Sequence, residues 1–256
     1  MIVAGPELAR RLEAADVHIG VSCAAEPDVL RIAGGAAIFA GGGSPLSHAI
    51  GLGMHGAVSA QEIDRLEEFY RLRGVAVTMD LCPLADAGLA ALLGDRGYRL
   101  TEFNNVLVRP VTVADLSPAE LPMRLANDDE ERLWALTVGR GFMEKDALTE
   151  EEMDVGRNIW RMPGSLCYLA FAGGQPAAAA AMVIHDGLAA LFADSTTVSC
   201  RGAGLHAALI RGRLRDAAAA GCDLATAATL PGSNSQRNYE RRGFQVVYTK
   251  AILAAH

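Results

Sequence analysis

A glycine-rich tetrapeptide in the second half of the chain has the composition of an anion-binding turn. Arg201-Gly202-Ala203-Gly204 comes directly before a helical segment, and glycine lets a backbone come close to a ligand. The first helical turn, Leu205-His206-Ala207-Ala208, contains no acidic residue. Because the first N–H groups of a helix have no partner within the helix and carry partial positive charge, such a turn can bind a phosphate. The alternative is an ordinary glycine-rich connection between a strand and a helix.

The first half of the chain has a helix start of the opposite kind. Ser59-Ala60-Gln61-Glu62 opens a helical segment at 59–73. A serine followed three residues later by a glutamate is a capping box, in which the two side chains satisfy the free N–H groups. The carboxylate of Glu62 also stands where a phosphate would bind. We therefore expect only the second half to bind an anionic cofactor.

The elements around the Arg201 turn alternate between helices and strands. Apolar residues at helical spacing predict helices at 128–142, 150–161, 205–220 and 233–242. Short apolar and β-branched runs predict strands at 166–172, 177–184, 188–198 and 223–228, and one closing strand or two at 244–247 and 249–253. Glycine-containing turns separate the first three strands, which are therefore expected to be antiparallel. This order predicts a mixed α/β layered domain.

The first half of the chain repeats the end of this order. Arg96-Gly97-Tyr98 resembles Arg242-Gly243-Phe244, and the two glycines are 146 positions apart. The same offset aligns the helical segment 59–73 with the predicted helix 205–220 that follows Arg201. It also aligns the strand 75–81 with the predicted strand 223–228. One offset that aligns three elements predicts a duplicated domain.

Composition and residue spacing exclude several classes of protein. A chain of 256 residues holds one or two domains, and its 51% hydrophobic content predicts a compact globule. The longest apolar run (177–184) is too short for a membrane span and the N-terminus lacks a signal pattern, so a cytoplasmic protein is expected. A net charge of -7 argues against nucleic-acid binding. The five cysteines are widely spaced and the six histidines form no His-x-x-x-His pair, so neither disulfides nor a metal site is expected.

Two motifs of the second half resemble the GNAT superfamily of acetyl-CoA-dependent N-acetyltransferases. The Arg201 turn matches the R-x-x-G-x-G/A pyrophosphate motif, except that His206 occupies the last position, where a small residue is usual. The segment 234–244 matches the second motif, with Tyr239 four residues before Gly243. The resemblance covers 121–253 well and the first half in outline, as in tandem members with one degenerate copy.

The resemblance implies a fold of two tandem GNAT-like domains in the α/β class, with an α+β mixed sheet. Each domain is expected to be a mostly antiparallel twisted sheet flanked by helices. Residues 1–115 would form a degenerate domain with a structural or acceptor-pocket role, and residues 116–256 the acetyl-CoA-binding domain. A linker is predicted at 109–122, because three prolines in fourteen residues interrupt helices and central strands.

The resemblance also implies roles for individual residues. Tyr239 would be the acid that protonates the departing thiolate, or otherwise a core aromatic between helix and sheet. Asp194 is the candidate general base, or otherwise a solvated residue at a strand end. Asn234 or Ser233 would contact the pantetheine arm or cap the helix. The strand that ends near 197–198 is expected to splay from strand 223–228, so that its main chain holds the pantetheine arm and polarises the thioester carbonyl. The predicted cofactor-binding residues are Thr197, Val198, Arg201, Gly202, Ala203, Gly204, Leu205, His206 and Asn234.

The function that follows is an N-acetyltransferase that moves an acetyl group from acetyl-CoA to a primary amine by direct attack on the thioester, without a metal. Its expected partner is a small-molecule or peptide amine, with no nucleic acid and no membrane; a homodimer is left open. One alternative is a non-catalytic acyl-CoA-binding or sensor protein. Another is a dinucleotide oxidoreductase, since Gly202, Gly204 and Ala207 satisfy G-x-G-x-x-A. It fits poorly, because hairpin strands precede the motif and Asp223 begins the next strand instead of ending it.

Overall fold

The computed structural model describes residues 2–24, 28–116 and 122–255. The helices are α1 (Pro6–Ser22), α2 (Ala60–Arg71), α3 (Ala87–Asp95), α4 (Glu131–Met143), α5 (Asp154–Arg161), α6 (Leu205–Ala219) and α7 (Asn234–Glu240). The strands are β1 (Val29–Ile32), β2 (Gly35–Ile38), β3 (Ala49–Ile50), β4 (Thr78–Leu81), β5 (Arg99–Pro110), β6 (Met123–Leu125), β7 (Leu166–Ala172), β8 (Gln175–His185), β9 (Leu188–Thr196), β10 (Leu224–Thr229) and β11 (Gln245–Ala254). Short 3₁₀ turns lie at Val113–Leu116, Glu151–Met153 and Val198–Cys200. Of the predicted linker at 109–122, residues 117–121 lie outside the described part of the chain.

The predicted helices and strands of the second half are present with small shifts in their bounds, and the closing runs 244–247 and 249–253 form one strand, β11. The strand is continuous because Tyr248 and Lys250 are both buried and continue its alternation. The Lys250 ammonium group lies 2.6 Å from Asp16 Oδ2 and 3.0 Å from Glu13 Oε2, and the Tyr248 hydroxyl donates to Glu13 Oε1 at 2.8 Å. In the sequence a lysine is normally taken as a surface residue, so the burial of Lys250 beside ionic partners is not visible there. The alternation of buried residues along this strand is therefore not visible either.

The chain forms two compact units, and the first contains Met1–Val106 and Val246–His256. Its strands have the order β1-β2-β3-β4-β11-β5. Strand β3 is parallel to β4, whereas β11 is antiparallel to β4, with Ala251 opposite Leu81. The unit therefore differs from the predicted domain 1–115, because the closing strand of the chain pairs with β4.

The second unit contains Leu107–Gln245, with strand order β5-β10-β9-β8-β7-β6. Strands β7, β8 and β9 are antiparallel neighbours, as expected. Strand β6, which was not predicted, is antiparallel to β7, and β10 is parallel to β9. Its core is rich in small side chains, since residues 177–181 of β8 are alanines buried in the sheet. Small side chains let the helices approach the sheet closely.

Helices α4 and α6 pack on opposite faces of this sheet. The Ser195 hydroxyl donates to the carbonyl of Val138 in α4, while its neighbour Asp194 bonds to Arg213 in α6. Successive residues of a strand point to opposite faces. Gly141 allows the close approach of α4, because a Cβ at this position would lie 2.1 Å from Ser195 Oγ.

The duplication predicted from the 146-residue offset extends over several elements. Shifted by this offset, β4 falls on 224–227 within β10, and α3 falls on 233–241 over α7. The first residue of β5 falls on 245, where β11 begins. The last strand of each half then takes an unexpected course: β11 joins β4 of the first unit, and β5 continues into the second unit beside β10.

Candidate active site

The four residues of the Arg201 turn are exposed and lead directly into helix α6. Gly204 is the N-cap residue of α6 with φ 80°, and among the described residues no side chain caps this helix. Gly202 also has a positive φ, and a Cβ at either glycine would meet open space. A positive φ suits glycine, and the open surface leaves room for a ligand beside the N–H groups. The geometry therefore fits an anion.

The corresponding helix of the first unit is closed by its own side chains. The Ser59 hydroxyl accepts a hydrogen bond from the Glu62 N–H at 3.2 Å, and the Ser59 N–H donates to Glu62 Oε2 at 2.8 Å. The predicted capping box is thus confirmed. Hydrogen bonds from the Ser59 backbone and hydroxyl lower the pKa of Glu62, which keeps a negative charge at this helix start.

The Arg201 side chain folds back onto α4. Its Nη1 atom lies 2.7 Å from Glu144 Oε1, and its Nη2 atom donates to the Gly141 carbonyl at 3.0 Å. These bonds tie the turn to the C-terminal end of α4. The guanidinium group is therefore engaged within the protein, and the contact of Arg201 with a cofactor stays a prediction.

Strand β9 leaves β10 before it reaches the turn. The two strands pair over 188–191 and 224–227, after which β9 continues to Thr196 beside β8. Ala193 has φ 54°, and the register shifts between Ala179 and Ala181 of β8, as in a β-bulge. A bulge bends its strand and increases the local twist. Beyond it, the Thr197 N–H donates to the Ala177 carbonyl at 2.9 Å, while Val198 is exposed.

A buried polar cluster lies behind this bulge, and we call it the Asp194 cluster: Asp194, His206, Arg213, Asn238 and Tyr239. Asp194 Oδ1 accepts from Arg213 Nη2, and Asp194 Oδ2 accepts from the Tyr239 hydroxyl. The Arg213 side chain is 0% exposed and that of Asp194 is 11% exposed. The side chain of His206 approaches the same carboxylate, with Nε2 3.3 Å from Oδ1.

The surroundings of the cluster shift the pKa values of its two acidic groups, Asp194 and Tyr239, in opposite directions. Burial opposes the ionisation of Asp194, but the charge of Arg213 and the proximity of His206 and Tyr239 lower its pKa to about 2. Burial and the charge of Asp194 raise the pKa of Tyr239 well above its ordinary value. Asp194 is therefore a carboxylate and a weak base, and Tyr239 holds its proton. The alternative of a solvated Asp194 at a strand end is wrong, because the side chain is buried against Arg213.

The other predicted site residues lie outside this cluster. Leu205 is a core residue of the second unit. Ser233 caps α7 by accepting from the Gln236 N–H, so of the two capping candidates it is the cap. Asn234 is exposed, and its Oδ1 accepts from Arg237 at 3.2 Å.

Arg213 and Asn238 were not predicted, and for Arg213 the sequence holds a signal. It stands four residues after Leu209, which stands four after Leu205, so it occupies the apolar face of α6. All three side chains are buried. A cation on an apolar helix face calls for a buried acidic partner, but only the fold identifies that partner as Asp194.

A surface pocket of about 410 Å³ adjoins the end of β9. Thr197, Val198 and Ser199 form one side of it. The other side comes from the end of α4 and the residues that follow: Arg140, Glu144, Lys145 and Asp146. Both signs of charge therefore line the pocket next to the predicted pantetheine-binding stretch.

Comparison with known proteins identifies the fold. No family model and no curated protein matches the chain. A GCN5-related N-acetyltransferase from Kribbella flavida has a TM-score of 0.70 at 21% identity, over 96% of this chain and 95% of its own. The chain has the GNAT fold.

Two further solved structures agree. A tandem GNAT protein from the clavulanic acid biosynthesis pathway has a TM-score of 0.63 at 15% identity, over 98% of this chain and 94% of its own. A GCN5-related N-acetyltransferase from Sphaerobacter thermophilus has a TM-score of 0.58 at 15% identity, over 76% of this chain and 66% of its own. The predicted fold class, a mixed α/β fold with two tandem GNAT-like domains, is confirmed.

The described residues offer neither a membrane-spanning helix nor a metal site. None of the helices in 2–24, 28–116 and 122–255 is long and apolar enough to cross a membrane. The same residues contain no group of three histidine, cysteine or acidic side chains placed to hold a metal ion.

Proposed function

We propose that the second unit transfers an acetyl group from acetyl-CoA to a primary amine. The observation that carries this proposal is the contrast between two equivalent helices. The N-terminus of α6 is uncapped and open, whereas that of α2 is closed by Ser59 and Glu62. The fold supports it as well, since GNAT structures match over nearly the whole chain.

The residues that would hold the cofactor follow from this geometry. The backbone N–H groups of the first turn of α6 would bind the diphosphate, because a helix N-terminus favours negative charge. Thr197 and Val198, which directly follow β9 and lie beyond its pairing with β10, would hold the pantetheine arm. Acetyl-CoA, when bound, supplies an activated thioester to the amine.

The Asp194 cluster would control the proton that the leaving thiolate takes up. Tyr239 is the proposed acid, but its proton is held by Asp194 and its pKa is raised. Arg213 Nη2 lies 3.4 Å from the Tyr239 oxygen, where its charge would stabilise the phenolate. Asp194 is better suited to orient Tyr239 than to act as a base, because a carboxylate with a pKa of about 2 removes a proton from an ammonium group poorly. The amine would then attack as its free base, and the proton released from its nitrogen after attack would pass to the bulk solvent and its buffer.

Isothermal titration of the full chain with acetyl-CoA tests the proposal, and absence of binding at millimolar concentration would overturn it. Transfer is measured as release of the coenzyme A thiol in the presence of a panel of amines, amino acids, aminoglycosides and peptides. Tyr239→Phe should lower the transfer rate by roughly 10² to 10⁴-fold with unchanged acetyl-CoA affinity. Tyr168→Phe is the matched control, since Tyr168 is a buried tyrosine of the same unit whose hydroxyl lies near Asp216. Tight binding without transfer to any amine would favour the acyl-CoA sensor.

A further inference from the structure

The pocket of about 410 Å³ that adjoins the end of β9 contains two charged groups without ion-pair partners. The Arg140 Nε atom donates to the backbone carbonyl of Asp146 at 2.7 Å, so the guanidinium group and the Asp146 side chain are neighbours. Among the residues that the structure describes, no side chain forms an ion pair with the Asp146 carboxylate or with the terminal nitrogens of Arg140. The pocket therefore offers one positive and one negative charge to a ligand.

The other two charges of the pocket are balanced within the protein. Glu144 Oε1 lies 2.7 Å from Arg201 Nη1, and Lys145 Nζ lies 2.5 Å from Glu152 Oε1. A ligand with a net charge would leave one of the two unpaired groups opposite a charge of its own sign or without a partner. A zwitterion complements both of them.

The direction in which a zwitterion would bind follows from the elements that form the pocket. Helix α4 ends at Met143, and the C-terminus of a helix favours a positive charge, as does the carboxylate of Asp146 three residues later. An ammonium group is therefore expected there. Arg140 binds Asp146 through Nε alone, which leaves Nη1 and Nη2 as a pair of parallel donors for a carboxylate.

The size and place of the pocket suit the amine substrate of the proposed reaction. Its volume lies within the range of about 300–1,000 Å³ that is typical of small-molecule sites. Thr197 and Val198, which would hold the pantetheine arm, form one side of it. A ligand between this side and the end of α4 would thus lie beside the arm that carries the thioester.

We propose that the amine acceptor is a free amino acid, bound as a zwitterion with its carboxylate on Arg140 and its ammonium group on Asp146. This inference rests on the proposed function and names its substrate class. The ammonium group loses one proton to the solvent before the attack. The C–N bond then forms as the C–S bond of the thioester breaks, the nitrogen loses a second proton to the solvent, and the thiolate takes up one proton.

The test compares each of a set of free amino acids with its carboxamide, using release of the coenzyme A thiol by the full chain. The carboxamide keeps the amine and loses the negative charge. The wild type should have a kcat/KM for the acid that is about tenfold higher or more, because a charge-assisted bond to Arg140 is lost with the amide. The amide also has a more acidic ammonium group, since the neighbouring carboxylate is gone. The ratio of acid to amide is therefore compared between variants, in which this difference cancels.

Three variants separate the roles of the two charges. Arg140→Gln should lower the ratio of acid to amide by about tenfold, and Arg140→Lys should retain part of it. Asp146→Asn should raise the KM of acid and amide alike and leave the ratio unchanged, because both ligands carry the ammonium group. Arg132→Gln is the matched control, since it removes a positive charge from the same helix outside the pocket and should keep the wild-type ratio. Thermal unfolding checks that the variants are folded.

Saturation-transfer NMR of the amino acids with the protein and coenzyme A measures binding without turnover, and the signal of an accepted amino acid should fall in Arg140→Gln. Equal ratios of acid to amide in wild type and Arg140→Gln, or acetylation only of amines that lack a carboxylate, would overturn the inference while leaving the proposed function intact. If acetyl-CoA does not bind, the proposed function itself fails.

Discussion

A glutamate placed at the start of α6 should separate cofactor binding from stability. Ala207 is the third residue of α6, as Glu62 is the third residue of α2. Ala207→Glu copies the acidic first turn of the first unit into the second. A glutamate in the first turn favours the helix by about 0.3–1 kcal/mol, so the melting temperature should stay the same or rise. The same carboxylate would repel a bound diphosphate.

The size of the repulsion can be worked out from Coulomb's law. Two unit charges about 5 Å apart interact by about 0.8 kcal/mol in bulk water and by about 3 kcal/mol at an effective dielectric constant of about 20. A diphosphate carries two charges, so even the lower figure gives about 1.7 kcal/mol, or roughly 15-fold weaker binding. We expect acetyl-CoA to bind Ala207→Glu at least about tenfold more weakly than the wild type.

Ala207→Gln is the matched control, because it has the same size and no charge. Titration calorimetry compares the two variants, and thermal unfolding checks that both are folded. At about 1 M salt, where the screening length is about 3 Å, the difference between them should shrink. Equal affinity of the Glu and Gln variants at low salt would refute the placement of the diphosphate at this helix.

Three further predictions concern the supports of the site. Ser59→Ala should lower the free energy of unfolding by about 1 kcal/mol in urea, because it removes the cap of α2, with acetyl-CoA affinity unchanged. Gly141→Ala should destabilise the protein by about 1–3 kcal/mol in the same assay, since the new Cβ would lie 2.1 Å from Ser195 Oγ and 2.8 Å from the Thr196 backbone N; unchanged stability would contradict the close packing of α4. The pKa of Asp194 is lowered to about 2 from 3.8, so its contribution of roughly 2 kcal/mol is present above pH 3.8 and is lost as the pH falls through about 2. Unfolding of wild type and Asp194→Asn between these pH values checks this. Glu130, whose pKa is also lowered to about 2, is present in both proteins, so both lose stability, but the wild type should lose roughly 2 kcal/mol more than Asp194→Asn.

Local patterns in the sequence predicted most of the elements and one part of the site. The uncapped glycine turn before α6 and the capping box at Ser59 depend on residues within one helical turn, so their chemistry is visible without the fold. The strands of the second half follow from short apolar runs and turn residues. The duplication was predicted from the repeated Gly-aromatic pairs at Gly97 and Gly243.

The tertiary structure decided the features that depend on distant pairs. Arg213 and Asp194 are 19 residues apart and Tyr239 and Asp194 are 45 apart, so no local pattern shows that they form one buried cluster. Likewise, the sequence predicts closing strands near 244–253 but not that β11 joins the first unit, since the choice of a strand partner depends on which edge is free in the folded sheet. The sequence by itself determined that a glycine-rich turn without an acidic residue begins one helix and that a capping box closes its counterpart in the other half. Only the fold decided that the carboxylate proposed as a base is held by a buried arginine, because the ionisation of a side chain depends on the charges and solvent around it and not on its neighbours in the chain.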